Sequence, residues 1–229
     1  EMIEKQELLE YVHVFDNYYG TPKKYVEDKI ESGDDVILEI EIEGAMNIKA
    51  SYPDLPCFLL GHSMGSYLVR CAISQNDMAL DGVIIMGTGQ VSPFLTNVSV
   101  ALAYFGVKLF GEKYTGKFFN RLTIEKYMKL FSKEVKRSDW ISRDRAIVDQ
   151  YMKDRFCQFI PSLSMYLGIF RFVRCACAKG SYRHVKKDLP ILLISGDRDI
   201  VGDFGKMVLK LNYLYKQAGL SQVRLRLYP

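Results

Sequence analysis

Apolar and polar positions change rhythm near residue 56. Before it, Val36, Leu38, Ile40 and Ile42 alternate with Ile37, Glu39, Glu41 and Glu43 behind a Gly-Asp-Asp turn. That period of two predicts a strand over Asp35–Ile42 with one acidic face. Upstream, Ile3–Tyr11 and Lys23–Ser32 read as helices, separated by an extended turn over Asp16–Pro22. After Pro56 the apolar residues cluster instead of alternating. Cys57–Leu60, Gly82–Met86 and Pro190–Ser195 are short continuous apolar runs ending at Gly or Ser, the pattern of parallel strands covered on both faces. Between the second and third lies a region of about 92–185 with Phe, Tyr, Met and Lys at helical spacing, which predicts an inserted helical cap. Phe204–Ala218 predicts a helix closed by Gly219, and Val223–Tyr228 a further strand.

The first apolar run leads into Gly61-His62-Ser63-Met64-Gly65, and an apolar helical stretch, Ser66–Ser74, leaves it. Strand, G-x-S-x-G and helix in that order form the setting of a sharp turn that lifts a serine out at the carboxyl end of a sheet. Ser63 is therefore the candidate nucleophile. The Met64 backbone N–H, at the start of the helix, is a candidate oxyanion donor. His62 adjoins Ser63 in sequence and is expected to pack or hydrogen-bond elsewhere on the turn.

Composition narrows the classes. With 48% apolar residues the 229-residue chain can bury a substantial core, and its net charge of +4 is spread without a continuous basic stripe, so no nucleic-acid partner is expected. The basic runs Lys133–Arg137 and His184–Lys187 read as solvated faces. Five cysteines, Cys57, Cys71, Cys157, Cys175 and Cys177, are odd in number and lack a paired CxxC spacing, which predicts reduced thiols, a cytoplasmic setting, and no metal or other cofactor. The opening Glu1-Met2-Ile3-Glu4 has no signal-peptide character and does not read as a natural start. Val98–Phe110, interrupted by Lys108, is too short to predict an integral membrane segment.

Three stretches carry a family resemblance: Leu59–Ser66, Gly82–Gly89, and Leu189-Pro190-Ile191-Leu192-Leu193-Ile194-Ser195-Gly196-Asp197-Arg198-Asp199-Ile200-Val201. In this order they resemble the later part of an α/β-hydrolase of the lysophospholipase or monoacylglycerol lipase type, also grouped as serine aminopeptidase-like. The resemblance implies ester hydrolysis through an acyl-Ser63 intermediate, a small lipid-like ester substrate and a triad acid at Asp199, with Asp197 the weaker alternative. It implies a histidine base in the loop beyond Tyr228-Pro229, and an earlier oxyanion loop ahead of Gly61. On that reading the chain as written is expected to be nearly inactive. His184 precedes the acid, against the implied order. Tyr104, Phe105, Phe110, Phe118, Phe119, Met128, Phe131, Met165, Tyr166 and Phe170 either line an acyl tunnel or form the cap's own core.

A second resemblance covers residues 1–54. Leu8-Leu9-Glu10-Tyr11, Asn17–Tyr25 and Asp35–Gly44 are similar to the GMP-binding part of guanylate kinase. That resemblance implies contacts to GMP from Glu10, Tyr19, Thr21, Glu39 and Glu41, while the phosphate-binding loop of such a kinase is not seen. Gly111–Phe118 imitates that loop but has Phe118 where a metal-binding hydroxyl is needed. The expected architecture is therefore α/β: a partial α/β-hydrolase parallel sheet with a helical cap over 55–229, preceded by a guanylate kinase fragment over 1–54. The two families are expected to meet near Ser51–Asp54 as a chimera, with a residual GMP-binding fragment or a non-functional product as the alternatives to a hydrolase.

Overall fold

The computed structural model describes residues 1–229 except Phe15, Glu41, Leu55, 76–78, 126–140 and 143, and leaves out the side chains of Val14, Ile42 and Glu43. Met128, Phe131 and the Lys133–Arg137 run lie outside the described residues. The chain divides into two units, Glu1–Cys57 and Phe58–Pro229.

In the first unit, strands β1 (Leu8–Val14) and β2 (Asn17–Pro22) form an antiparallel hairpin with Val12 opposite Tyr19 and Val14 opposite Asn17. Glu10 and Val12 point inward while Tyr11 and His13 face solvent, so the strand's own alternation decides its faces. Asp16 makes the reversal with a left-handed backbone, φ 62°, which Asp tolerates better than most residues. Helices α1 (Lys23–Glu31) and α2 (Ile42–Ser51) follow.

Two expectations are corrected here. The helix over Ile3–Tyr11 is a turn followed by β1, because Tyr11, Val12 and Val14 gain a ladder against β2 that outweighs a short helix. The strand over Asp35–Ile42 is absent: residues 35–40 carry no regular structure, and Ile37 is exposed. A strand needs a partner ladder, and the hairpin is the only sheet among the described residues of this unit. The expected guanylate kinase fragment is corrected too. A two-stranded hairpin with Val12 and Val26 as its buried apolar residues is too small a core for an independent kinase domain, and none is evident.

The second unit is built on four parallel strands in the order β3 (Phe58–His62), β4 (Gly82–Met86), β5 (Ile191–Gly196) and β6 (Val223–Tyr228). Parallel neighbours need crossovers. Helix α3 (Met64–Gln75) connects β3 to β4, and α8 (Lys206–Gln217) connects β5 to β6. Val83, Ile85, Ile191, Leu193, Val208, Leu211 and Tyr215 meet in one core, so the apolar runs of β4 and β5 are strands covered on both faces, whereas β3, at the end of the strand order, leaves Phe58 and Leu60 exposed.

Between β4 and β5 the chain forms α4 (Pro93–Phe110), the short α5 (Lys117–Asn120), α6 (Arg145–Lys153) and α7 (Leu163–Cys177). Helix α4 opens with Ser92 as cap, its hydroxyl accepting from Leu95 N–H, and with Pro93 in the first turn. This start lengthens the apolar stretch beyond its expected limits. At 18 residues with a mean hydropathy of 1.3, α4 is one helix among the described residues that is long and apolar enough to cross a membrane, and only 17% of it is buried. The imitation phosphate loop at 111–118 is a turn whose Gly116 N–H donates to the Pro161 carbonyl at 2.9 Å, leading into the four-residue α5.

Candidate active site

Ser63 sits between the end of β3 and the start of α3, with a left-handed backbone at φ 51°. A serine gains nothing locally from that conformation, so the turn around it has to impose it. Its N–H donates to the Met86 carbonyl of β4 at 3.0 Å, and its carbonyl accepts from the Ser66 N–H at 3.0 Å and the Ser66 hydroxyl at 2.5 Å. The turn is thereby tied to the neighbouring strand on one side and the helix on the other.

The two glycines of the motif differ. A Cβ on Gly61 would lie 2.5 Å from the Gly65 carbonyl oxygen and 2.6 Å from Val69 Cγ2, whereas a Cβ on Gly65 would meet nothing within 4 Å. Gly61 is thus required by the close passage of α3 over β3. Met64 begins α3, where the first N–H groups have no partner within the helix. His62 is exposed, and a Cβ on Gly87 would lie 3.5 Å from its Cδ2 and Nε2, so the imidazole rests beside the loop after β4.

Asp199 lies just past β5. Its Oδ1 accepts the N–H of Val201 at 2.9 Å and of Gly202 at 3.4 Å, and the Ser195 hydroxyl donates to Oδ2 at 3.5 Å. The loop then turns back through left-handed Asp203, Phe204 and Gly205, and the Phe204 N–H donates to the Asp199 carbonyl at 2.8 Å. Asp197, by contrast, is exposed, and its N–H donates to Tyr228 of β6. Of the two candidate acids, only Asp199 is oriented by its surroundings. Ser63 and Asp199 follow the carboxyl ends of the parallel strands β3 and β5, with β4 between them.

One residue at this end of the sheet was not singled out by sequence reasoning. Arg70, on α3 and 2% exposed, donates to the Thr88 hydroxyl at 3.1 Å, the Gly89 carbonyl at 2.6 Å, the Gln90 side-chain oxygen at 2.5 Å and the Ala176 carbonyl at 2.9 Å. It holds the loop after β4 to the end of α7. The Tyr67 hydroxyl, one helical turn earlier, accepts from the Gly89 N–H at 3.1 Å. The available signal was a lone cation inside an otherwise apolar helix. His184 sits on the amino-terminal approach to β5, away from the end where Ser63 and Asp199 emerge.

In the helical insertion, Phe119 and Tyr166 are buried and pack with Phe170, whereas Tyr104, Phe105, Phe110, Phe118 and Met165 are exposed. The first three make the insertion's own core. In the first unit, the Thr21 hydroxyl donates to the Glu10 carboxylate at 2.7 Å across the hairpin, Tyr19 is exposed on β2, Glu39 is exposed in an irregular segment, and Glu41 lies outside the described residues. The structure therefore joins Glu10 with Thr21 and leaves Tyr19 and Glu39 facing solvent. Among the described residues no group of three or more His, Cys, Asp or Glu could hold a metal ion.

The family model described as serine aminopeptidase, S33, matches residues 30–229. The chain belongs to this family. A carboxyl esterase from Bacillus coagulans is similar in structure with a TM-score of 0.69 and 28% identity, over 82% of this chain and 60% of that one. A lipase in an open form has a TM-score of 0.71 at 23% identity, over 82% of this chain and 61% of that one. The fold is thus an α/β-hydrolase fold closely resembling esterase and lipase structures. The chain spans about 60% of the length of these solved structures.

A guanylate kinase of Halalkalibacterium halodurans is 53% identical over 53 residues, which is 23% of this chain and 26% of that enzyme. The chain spans about a quarter of the length of that curated relative. The likeness is one of a segment. The expected chimera, with a guanylate kinase-like part ending at residue 54 and the hydrolase beginning at 55, is corrected by the serine aminopeptidase match, which starts at residue 30 and runs through that point without a break.

Proposed function

We propose that this α/β-hydrolase chain belongs to an enzyme that cleaves lipid-like carboxylic esters, of the lysophospholipase or monoacylglycerol lipase type, with Ser63 as nucleophile and Asp199 as triad acid. The observation that carries the reading is the left-handed Ser63 between β3 and α3. In that position its hydroxyl projects from the carboxyl end of the sheet, ahead of the first N–H groups of α3.

Ser63 Oγ attacks the ester carbonyl carbon and its proton passes to the imidazole that the family resemblance implies beyond Tyr228-Pro229, which Asp199 keeps in the correct tautomer. The carbonyl oxygen gains negative charge as the tetrahedral intermediate forms. The Met64 N–H and the amino end of α3 stabilise that charge. The imidazole returns its proton to the leaving alcohol, and water then releases the acyl group from Ser63 by the same sequence of steps. Exposed apolar residues of the insertion, Tyr104, Phe105, Phe110, Phe118 and Met165, supply an apolar surface for the acyl chain.

A fluorophosphonate probe followed by peptide mass spectrometry tests the nucleophile. The expected adduct lies on Ser63 in a form of the enzyme that carries the implied histidine loop, and is lost in Ser63→Ala; the chain as written is expected to label only slowly. Asp199→Asn is expected to slow labelling on the order of ten-thousandfold while the turn at Ser63 stays folded. Labelling that persists in Ser63→Ala would sink the assignment.

A further inference from the structure

Three of the chain's five cysteines converge where α3 packs against α7. Cys71 is buried on α3, and its thiol donates to the Phe172 carbonyl of α7 at 3.4 Å. Cys175 is half-buried on α7, one turn beyond Phe172. From the solvent side, Gln75 Nε2, one turn beyond Cys71 on α3, donates to Cys175 Sγ at 3.2 Å. Cys177 points the other way, against Arg70 and the Gly89 carbonyl, each at 3.8 Å. Cys71 and Cys175 thus face each other from packed helices, each sulfur against the opposite helix, with one of them reachable from water. Disulfide closure requires such facing pairs, and neighbours on one helix such as Cys175 and Cys177 point apart.

We propose that Cys71 and Cys175 form an oxidisable dithiol that closes to a disulfide and pins the helical insertion to the helix behind Ser63. With a peroxide as oxidant, the Cys175 sulfur attacks one peroxide oxygen, the O–O bond breaks, and Cys175 becomes a sulfenic acid as water leaves. The Cys71 sulfur then attacks the Cys175 sulfur, the S–O bond breaks, and the departing hydroxide takes up the Cys71 proton as a second water. Two thiols are oxidised and one peroxide is reduced. Cys175 takes the first step because it is the more exposed member; Cys71, whose thiol proton is held tightly by burial, resolves it slowly. The bond joins distant points of the sequence across a packed interface, so it restrains the unfolded chain strongly and the folded one little.

The test is to treat the reduced chain with hydrogen peroxide, block remaining thiols, digest with trypsin and map the products. The expected product links peptide 71–108 to peptide 175–179, two hydrogens lighter than their sum, and reverts with dithiothreitol. The melting temperature is expected to rise on the order of 10 °C on oxidation. Cys177→Ser is expected to keep the link, which identifies Cys175 within its peptide. Cys175→Ser and Cys71→Ala each lose it, and the exposed site of Cys175→Ser keeps the test open should Cys71→Ala fold poorly. A disulfide within 175–179, a link to Cys57 or Cys157, or Cys175 carried to a sulfinic acid without any link would overturn the proposal.

Discussion

The central strands and helix α4 of the insertion are both written mostly in apolar residues, yet they end in different states. Ile85 and Leu193 on the central strands are 0% exposed, each covered on both faces of the sheet. Phe105, in the middle of the longest helix of the insertion, is 61% exposed. The small core formed by Val100, Ala103, Phe119, Leu163, Tyr166 and Leu167 takes only one stripe of α4. A strand between two parallel neighbours has no free side, whereas a helix can satisfy its backbone alone and leave most of its circumference open. Apolar composition therefore reports burial on the central strands β4 and β5, but not on β3, where Phe58 and Leu60 are exposed, nor over most of α4.

The widest break in that comparison is expected from paired truncations. Leu193→Ala removes packing with no room to relax and should cost about 3–4 kcal/mol in urea unfolding. Phe105→Ala, in contrast, should stay within about 0.5 kcal/mol. Equal costs would mean that the face of α4 is closed in solution.

Arg70 sharpens the same contrast because it ties the two regions together, from Thr88, Gly89 and Gln90 to Ala176. Arg70→Met keeps the stem and leaves buried carbonyls without donors, for an expected loss of about 2 kcal/mol. Hydrogen exchange should show the end of α7 and the loop after β4 opening together. Opening of one without the other would mean that Arg70 does not couple them.

A further effect is one of pH. Burial, followed by the hydrogen bond to Cys175, pushes the Cys71 thiol from 9.0 up to about 12. The folded chain holds this proton more tightly than the unfolded one, so the contribution is intact below pH 9 and is lost as pH rises toward 12. Melting temperature should fall over that window, less steeply in Cys71→Ala than in the parent. Parallel slopes in the two proteins would remove Cys71 as a source of alkaline sensitivity.

How much was legible depends on whether an element carries its own reason. The β3, β4 and β5 strands were readable because uninterrupted apolar runs bounded by Gly or Ser have few other uses, and β6 because Val223, Leu225 and Leu227 alternate with Arg224 and Arg226. The turn at Ser63 was readable because the letters of the motif came with a strand before and a helix after. Asp35–Ile42 had a clean strand alternation and formed no strand, since pattern cannot supply the neighbouring ladder. Ile3–Tyr11 failed for the opposite reason: β2 lay close enough in sequence to capture it. The segment likeness at residues 1–54 was visible, but the inference that a separate domain ended there did not follow, because local identity does not set a family boundary.

Sequence alone determined the order of the parallel strands along the chain, the place of the serine turn and the apolar character of the insertion. All three rest on local periodicity and on the small set of residues that can stand in a tight strand-to-helix turn. The tertiary structure decided which acid is held, since Asp199 and Asp197 differ only in the N–H and hydroxyl donors that the loop brings to one of them. It also decided which motif glycine is obligatory, what Arg70 binds, and which two thiols meet. Those choices depend on distances between segments far apart in the chain, and such distances are fixed only when the helices close onto the sheet.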